Sequence, residues 1–373
     1  MSKSVKSKPN VFIRLLFTIN VTVGFGMIGA YISTHVSPVT IPYLSFFGLA
    51  YPFLLLCMGI FSLTWVFLNR KYLLFNIVLL LLGWNHFSDF YAINNSTTVH
   101  SANDLKIMSY NVRIFNYYDV KNRVETRNNI FNFLDKQEAD IYCFQEFYHK
   151  EGSKEFKTRD TIIEFLDAKN HHERYTHEMT GEQYFGVVTF SKYPIINKGG
   201  IAFENDDNNY CIYSDLVKES DTIRVFNAHL GSIRLQGSDY AFFGDKEEEG
   251  LSQKEVKEQQ IIERLKTAFQ KRAIQIEKVM VEVQKSPYPV IFCGDLNDTP
   301  VSYCYRQIGD YLTDSFLESS NGLGTTYIGK IPSNRIDYIF HSNEFIGTEF
   351  ITHNVNYSDH KPISCYIGNV FDH

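Results

Sequence analysis

The chain has 373 residues, with 36 basic and 42 acidic side chains and a formal net charge of −6. The charge is lopsided: the first hundred residues carry six basic groups (Lys3, Lys6, Lys8, Arg14, Arg70, Lys71) and one acid, Asp89, which leaves 30 basic and 41 acidic groups, a net of −11, for the rest. That balance argues against tight non-specific binding to a nucleic-acid backbone, while a nuclease whose metal ions supply positive charge locally stays open.

Three apolar stretches come first, at about 11–33, 41–68 and 72–90. Each approaches the ~20 residues needed to cross a bilayer core. The third is densest only over 72–84 and is followed by Asn85, His86 and Asp89, so a re-entrant or interfacial segment is its alternative. The first has the basic start of a signal peptide, but it is long and a second span follows closely, which predicts an uncleaved anchor over 1–93. Lysines and arginines collect on the cytoplasmic side. The N-terminus and Asn69-Arg70-Lys71 are therefore expected inside, and the uncharged Ser37-Pro38-Val39-Thr40 loop outside. Three spans in a cytoplasmic membrane place residue 100 onward on the extracytoplasmic side; a third segment that only dips in keeps it inside.

Residues 94–103 are polar and read as a linker to a domain over 104–370. Strand patterns follow at 105–112, 141–144, 186–190, 210–217, 223–230, 290–293, 336–340, 347–351 and 363–367, with helical spacing over 122–137 and 253–285. Strands interleaved with few helices fit an α/β layered sandwich better than a regular strand–helix barrel. The polar stretch 231–252 is long for a loop and is expected to be functional, as a substrate lid. His171, His172 and His177 read as a solvated loop, and Arg264, Lys266, Lys271 and Arg272 as a solvated helix face. The six cysteines show no metal-like spacing and are expected to be mainly free and buried.

Chemistry-bearing residues gather at the strand ends. They are Asn111, Gln145-Glu146, Asn227 and His229, Asp295 and Asn297, and Asp337 with Ser358-Asp359-His360. Taken singly, each has a plainer reading: a backbone-bonded Asn111, a solvated Glu146, a semi-buried His229, turn chemistry at Asp359-His360. Asp337 is harder to dismiss, because a carboxylate inside the apolar run Ile336-Asp337-Tyr338-Ile339 must find a partner. Together the groups supply what phosphate-ester hydrolysis needs: oxygen ligands for a hard cation, a base for water, and a proton partner for the leaving oxygen. Such oxygen-rich sets suit Mg²⁺ or Mn²⁺.

The ordered segments Ser109-Tyr110-Asn111, Gln145-Glu146, Asn227-Ala228-His229-Leu230, Gly294-Asp295-Leu296-Asn297, Arg335-Ile336-Asp337-Tyr338 and Ser358-Asp359-His360 resemble the endonuclease/exonuclease/phosphatase superfamily, most closely its deoxyribonuclease and sphingomyelinase branches. The resemblance implies a four-layer α-β-β-α sandwich with the site at one edge. It implies Glu146, Asn111 and Asp359 on the metal, and Asp295 on the attacking water. Asn297 and Asn227 would hold the phosphate, His360 oriented by Asp337 would serve as acid/base, and His229 would sit at the leaving group. The expected function is a membrane-anchored, metal-dependent phosphoester hydrolase, with a phosphodiester preferred. Its partners are the bilayer through residues 11–90 and a phosphoester, either a lipid headgroup or nucleic acid; no protein partner is evident. The alternatives are an extracytoplasmic nuclease and a membrane-anchored binding protein whose site has decayed.

Overall fold

A computed structural model describes residues 11–94, 99–179, 182–204, 206–233, 251–329 and 334–369. Most of the expected lid, residues 234–250, lies outside the described residues. The N-terminal helices are α1 (Val11–Ser33), α2 (Ser45–Leu49), α3 (Tyr51–Leu68), α4 (Arg70–Leu82) and α5 (Trp84–Phe90). Among the described residues, α1 and α3 are long and apolar enough to cross a membrane, and α4 with α5 forms a pair bent by 63°. The second expected span thus starts at Tyr51 rather than 41, because Pro52 sits in the first turn of α3 and favours a helix start there. The third breaks at Gly83, where the Tyr31 ring occupies the place of a side chain.

Polar side chains inside this bundle pair with one another, as a low-dielectric interior demands. Asn20 accepts from the Trp65 indole at 2.6 Å, and Asn76 donates to Ser62 at 3.1 Å. At the opposite end, Thr34 at the close of α1 meets His86 of α5 at 3.1 Å, and the Tyr51 ring lies 5.5 Å from that of Phe90.

Twelve strands among the described residues build two mixed six-stranded sheets. The first has the order β11 (Phe345–Thr352), β12 (Ile363–Asn369), β1 (Leu105–Asn111), β2 (Ile141–Lys150), β4 (Gln183–Ser191), β3 (Asn170–Met179). The second runs β5 (Ile195–Ala202), β6 (Tyr210–Lys218), β7 (Asp221–His229), β8 (Val290–Asp295), β10 (Asp337–His341), β9 (Thr313–Asp314). Helices α6 (Arg123–Asp135) and α7 (Thr158–Phe165) cover the outer face of the first sheet through Ile130, Leu134 and Ile162. The long α8 (Leu251–Gln284), α9 (Tyr303–Gly309) and α10 (Ser315–Ser319) follow, with Ile276, Val279 and Ile308 on the outer face of the second sheet. The apolar layer between the sheets is made of Ile107, Ile141, Cys143, Val225, Ile291, Cys293 and Ile339, among others. This is the expected four-layer sandwich.

Two local readings differ. The stretch with His171 and His172 is an edge strand, β3, not a loop. Arg272 is buried, not solvated: its Nε meets Asp298 at 3.1 Å and its Nη1 donates to the Gly231 carbonyl at 3.0 Å. All six cysteines are free, and five are buried.

The polar segment before β1 is docked on both sides. Ala92 exchanges two backbone hydrogen bonds of 2.9 Å with Gly322 and is buried in the inter-sheet core. His100 stacks on Tyr366 and bonds Glu349 at 2.8 Å.

Candidate active site

Alternation along the central strands builds the site. Side chains two residues apart share a face. Along β1, Leu105 and Ile107 face the inter-sheet core, Ser109 follows, and Asn111 ends the row; along β7, Ile223 and Val225 lead to Asn227 and His229. Along β8, Ile291 and Cys293 lead to Asp295, and β10 opens with Asp337 before Ile339. The core thus turns polar at one rim. There Asp295 is the register partner of both His229 on parallel β7 and Asp337 on antiparallel β10.

Glu146 reaches the rim by another route. Simple alternation would turn it outward beside Phe144. The β2–β4 register shifts between Phe144 and Phe147, and Glu146 has φ +49°. A bulge of this kind re-aims a side chain. Glu146 Oε1 accepts from Asn111 Nδ2 at 3.2 Å, and the same amide donates to Asp295 Oδ2 at 2.9 Å. Asn297, at φ +53°, occupies the left-handed region that Asn tolerates. Its backbone N–H donates to Asp295 Oδ1 at 2.8 Å, and its amide donates to Leu230 O at 3.0 Å and Asp295 Oδ2 at 3.2 Å.

His360 lies between two carboxylates. Its Nδ1 is 2.9 Å from Asp337 Oδ2 and its Nε2 3.7 Å from Asp295 Oδ2. Burial opposes charge on this ring, yet Asp337 and Asp295 raise its pKa to about 10. Asp295 is pushed up to about 6, first by burial and also by Asp337, with His360 pulling the other way. Burial raises Glu146 too, and the charge of Asp359 adds to it. His229 is lowered by burial, against the pull of Asp295. Its Nε2 has no hydrogen-bond partner among the described residues and lies 3.6 Å from Glu146 Oε1 and 3.7 Å from Asp295 Oδ2, too far for a hydrogen bond. An orphaned nitrogen facing two carboxylates leaves room for a shared oxygen ligand.

The donor chemistry fits a divalent cation. Four carboxylates (Glu146, Asp295, Asp337, Asp359) face few cations: His360, and Arg113, whose Nε is 3.4 Å from Asp359 Oδ2. Asp295, Asp337 and His360 also lie close enough to form a metal-ligand group. In the same trio His360 Nδ1 is hydrogen-bonded to Asp337 Oδ2 at 2.9 Å, which makes it an Asp–His–Asp row as well. Glu146 and Asp359 bring further carboxylate oxygens to the same rim, and Asn111 Oδ1 accepts from the Arg113 backbone N–H at 3.0 Å.

One expected site residue points elsewhere. Asn227 is fully buried between the sheets; its Oδ1 accepts from Gln145 at 2.8 Å, and its amide donates to the carbonyls of Phe144 and Val188. It shares a face with His229 but lies two residues deeper, so the structure does not bring it to the rim with Asn297. Three supporting residues had no role from sequence. Thr326 Oγ1 accepts from the backbone of Ile336 and Asp337 at 3.1 and 3.2 Å. Arg335 is buried against Asp314. Arg113 opens a run of four positive-φ residues, Arg113 to Asn116. The mixed polarity around 326 and 335 gave no periodic signal, since their partners lie far along the chain.

Residues 108–360 match the model of the Endonuclease/Exonuclease/phosphatase family. The chain belongs to that family. The match covers all the rim residues from Asn111 to His360, and it places the chain among enzymes that cleave phosphate esters. Residues 13–90 match a second model, described only as a domain of unknown function. An endonuclease/exonuclease/phosphatase family protein from Leptotrichia buccalis C-1013-b shares the fold at a TM-score of 0.50 and 16% identity, over 71% of this chain and 99% of that one. The endonuclease/exonuclease/phosphatase from Beutenbergia cavernae DSM 12333 gives 0.50 at 17% identity, over 71% and 72%. No curated protein matches the chain.

Proposed function

We propose that this family member is a membrane-anchored, divalent-metal-dependent phosphodiester hydrolase acting at the extracytoplasmic face of the membrane. The observation that carries the chemistry is the row Asp337–His360–Asp295 facing the Glu146–Asn111 pair across one rim. Asp295, near neutral in pKa, accepts a proton from the attacking water and aims it. His360 donates from Nε2 to a phosphate oxygen, while Asp337 fixes its ring and its charge. Neutral His229 faces the leaving oxygen. Arg113 draws the substrate anion toward the rim. Glu146, Asn111 and Asp359 would hold Mg²⁺ or Mn²⁺, which supplies charge neutralisation to the phosphate. Asn297 would trade its bond to Leu230 O or Asp295 for the phosphate.

The helix contacts support the sidedness. The α4–α5 pair starts beside the end of α3 at Arg70 and reaches Thr34 and Tyr51, at the other end of α1 and α3, by His86 and Phe90. This course supports reading the pair as a broken span. The catalytic domain meets the uncharged end: Ser37 donates to Glu277 at 3.3 Å, and Phe46 packs on Phe269 at 5.4 Å. Arg14, Arg70 and Lys71 mark the opposite, cytoplasmic end.

Full-length protein in detergent, assayed on phospholipids, nucleic acids and a soluble chromogenic diester with and without EDTA, tests this reading. We expect chelator-sensitive hydrolysis that Asp295→Ala and His360→Ala both abolish without unfolding the domain. Full activity in either variant would defeat the assignment, and cleavage of nucleic acid alone would make it a nuclease.

A further inference from the structure

The loops that flank two members of the row, Asp295 and Asp337, end on the N-terminal bundle. Six residues after Asp295, Val301 is buried in the bundle's own apolar cluster with Met27, Ala30, Tyr51, Met58 and Leu79. The contact is close because position 48 is glycine: a side chain there would overlap the Val301 carbonyl oxygen and lie 2.8 Å from Ser33 Oγ. Two residues before Asp337, the buried Arg335 donates from Nη2 to the carbonyl of Asp89, at the end of α5, at 2.7 Å. Its Nη1 is engaged by Asp314, and its guanidinium lies 4.4 Å from the Phe316 ring centroid and 4.9 Å from that of Tyr338. The hydroxyl of Tyr338 ties the two loops together, 2.8 Å from the Arg335 carbonyl and 2.9 Å from the Asp298 carbonyl.

We propose that the membrane bundle is a working part of the active site, with Arg335 and the Gly48–Val301 contact as positioning elements that set the separation of Asp295 from the Asp337–His360 pair. A tether has no need of a buried guanidinium that caps the last turn of its helix. Nor does it need a glycine that lets its backbone meet the loop leaving the catalytic strand. A buried arginine also holds both partners in one geometry, since its planar fork loses its fit if either shifts. This inference rests on the phosphodiesterase reading for its kinetic arm and on geometry alone for its spectroscopic one.

The test uses the full chain in detergent with a soluble chromogenic diester, so that closeness to a membrane substrate plays no part. The variants are Gly48→Ala and Gly48→Leu, which push the bundle from Val301, and Arg335→Lys, which keeps the charge beside Asp314 but loses the fork. Gly59→Leu is the control, because nothing lies within 4 Å of a side chain there. We expect kcat to fall on the order of 10-fold or more in the contact variants, as misplacement of reacting groups by a fraction of an ångström does, with KM within about twofold and the control unchanged. The ¹⁵N-histidine signal of His360 should shift in the same variants, including whichever folds with a wild-type melting curve. Unchanged kcat and an unchanged His360 signal in the folded contact variants would overturn the proposal. If wild-type protein cleaves no diester, the functional reading fails, and the His360 signal alone decides the coupling.

Discussion

Asp337 and His360 share a 2.9 Å hydrogen bond although 23 positions separate them in the chain. The pair is closed from behind: Thr326 bonds the backbone of Asp337, and the 326–328 segment bonds the backbone on both sides of His360, at Asp359 and Lys361. The carboxylate therefore sets the orientation of the ring.

Asp337→Asn keeps the shape and removes the charge. We expect kcat to fall on the order of 10²–10⁴-fold, the usual worth of a positioned acid or base, with little change in melting temperature. A loss below about threefold would remove Asp337 from the proposed mechanism.

Glu146→Gln keeps the bond to Asn111 but weakens the oxygen set. Mg²⁺ titration by calorimetry should show affinity lower by about 10–100-fold. EDTA should abolish hydrolysis by the wild type, and Mg²⁺ or Mn²⁺ should restore it. Metal binding equal to the wild type would move the metal to other ligands.

Asn227→Ala separates a structural from a phosphate-binding amide. Removing it deletes the bond from Gln145 Nε2 and the bonds to the Phe144 and Val188 carbonyls between the sheets, at a cost of about 1–3 kcal/mol. The melting temperature should drop, while KM of the folded protein stays within about twofold. A large rise in KM with unchanged stability would restore Asn227 to the phosphate site.

Two half-buried histidines should cost stability on mild acidification. Burial lowers His172 to about 4, with Lys198 adding to the effect; burial and Lys106 lower His353 to about 4. An unfolded histidine takes up its proton near pH 6.5. Between pH 6.5 and 4 these two rings bind more protons in the unfolded chain than in the native one, so the stability they contribute above pH 6.5 is lost as pH falls. At pH 5 each ring accounts for at most about 2 kcal/mol. His353→Gln should narrow the gap between thermal midpoints at pH 7.5 and 5.0; an unaltered gap would sink this account.

Much of the site was legible because its residues end strands whose apolar alternation is plain, as with Val290 to Asp295 leading into Asn297. Glu146 was found by motif, but its aim depends on a bulge that alternation does not encode. Asn227 was misplaced because periodicity gives a face and not a depth. Arg272 looked solvated because an amphipathic helix pattern does not show that Asp298, from a distant loop, meets it. The strand with His171 and His172 read as a loop because an edge strand carries polar residues on its open side. Arg335 was silent because its partner, the Asp89 carbonyl, lies 246 positions away and is backbone.

The Ala92–Gly322 bridge has a consequence for how the protein is made. Ala92 leaves the ribosome with the helices, some 230 residues before Gly322. At about 5–20 residues per second, that wait lasts roughly 10–50 s. The bundle can be seated in the bilayer before the loops that rest on it exist. In the proposed topology, translocation then delivers an unfinished domain to a platform already in place, and the Ala92–Gly322 bridge forms only once the last third of the chain docks. A failed insertion would leave that core open at Ala92, exposing a nascent domain to quality control.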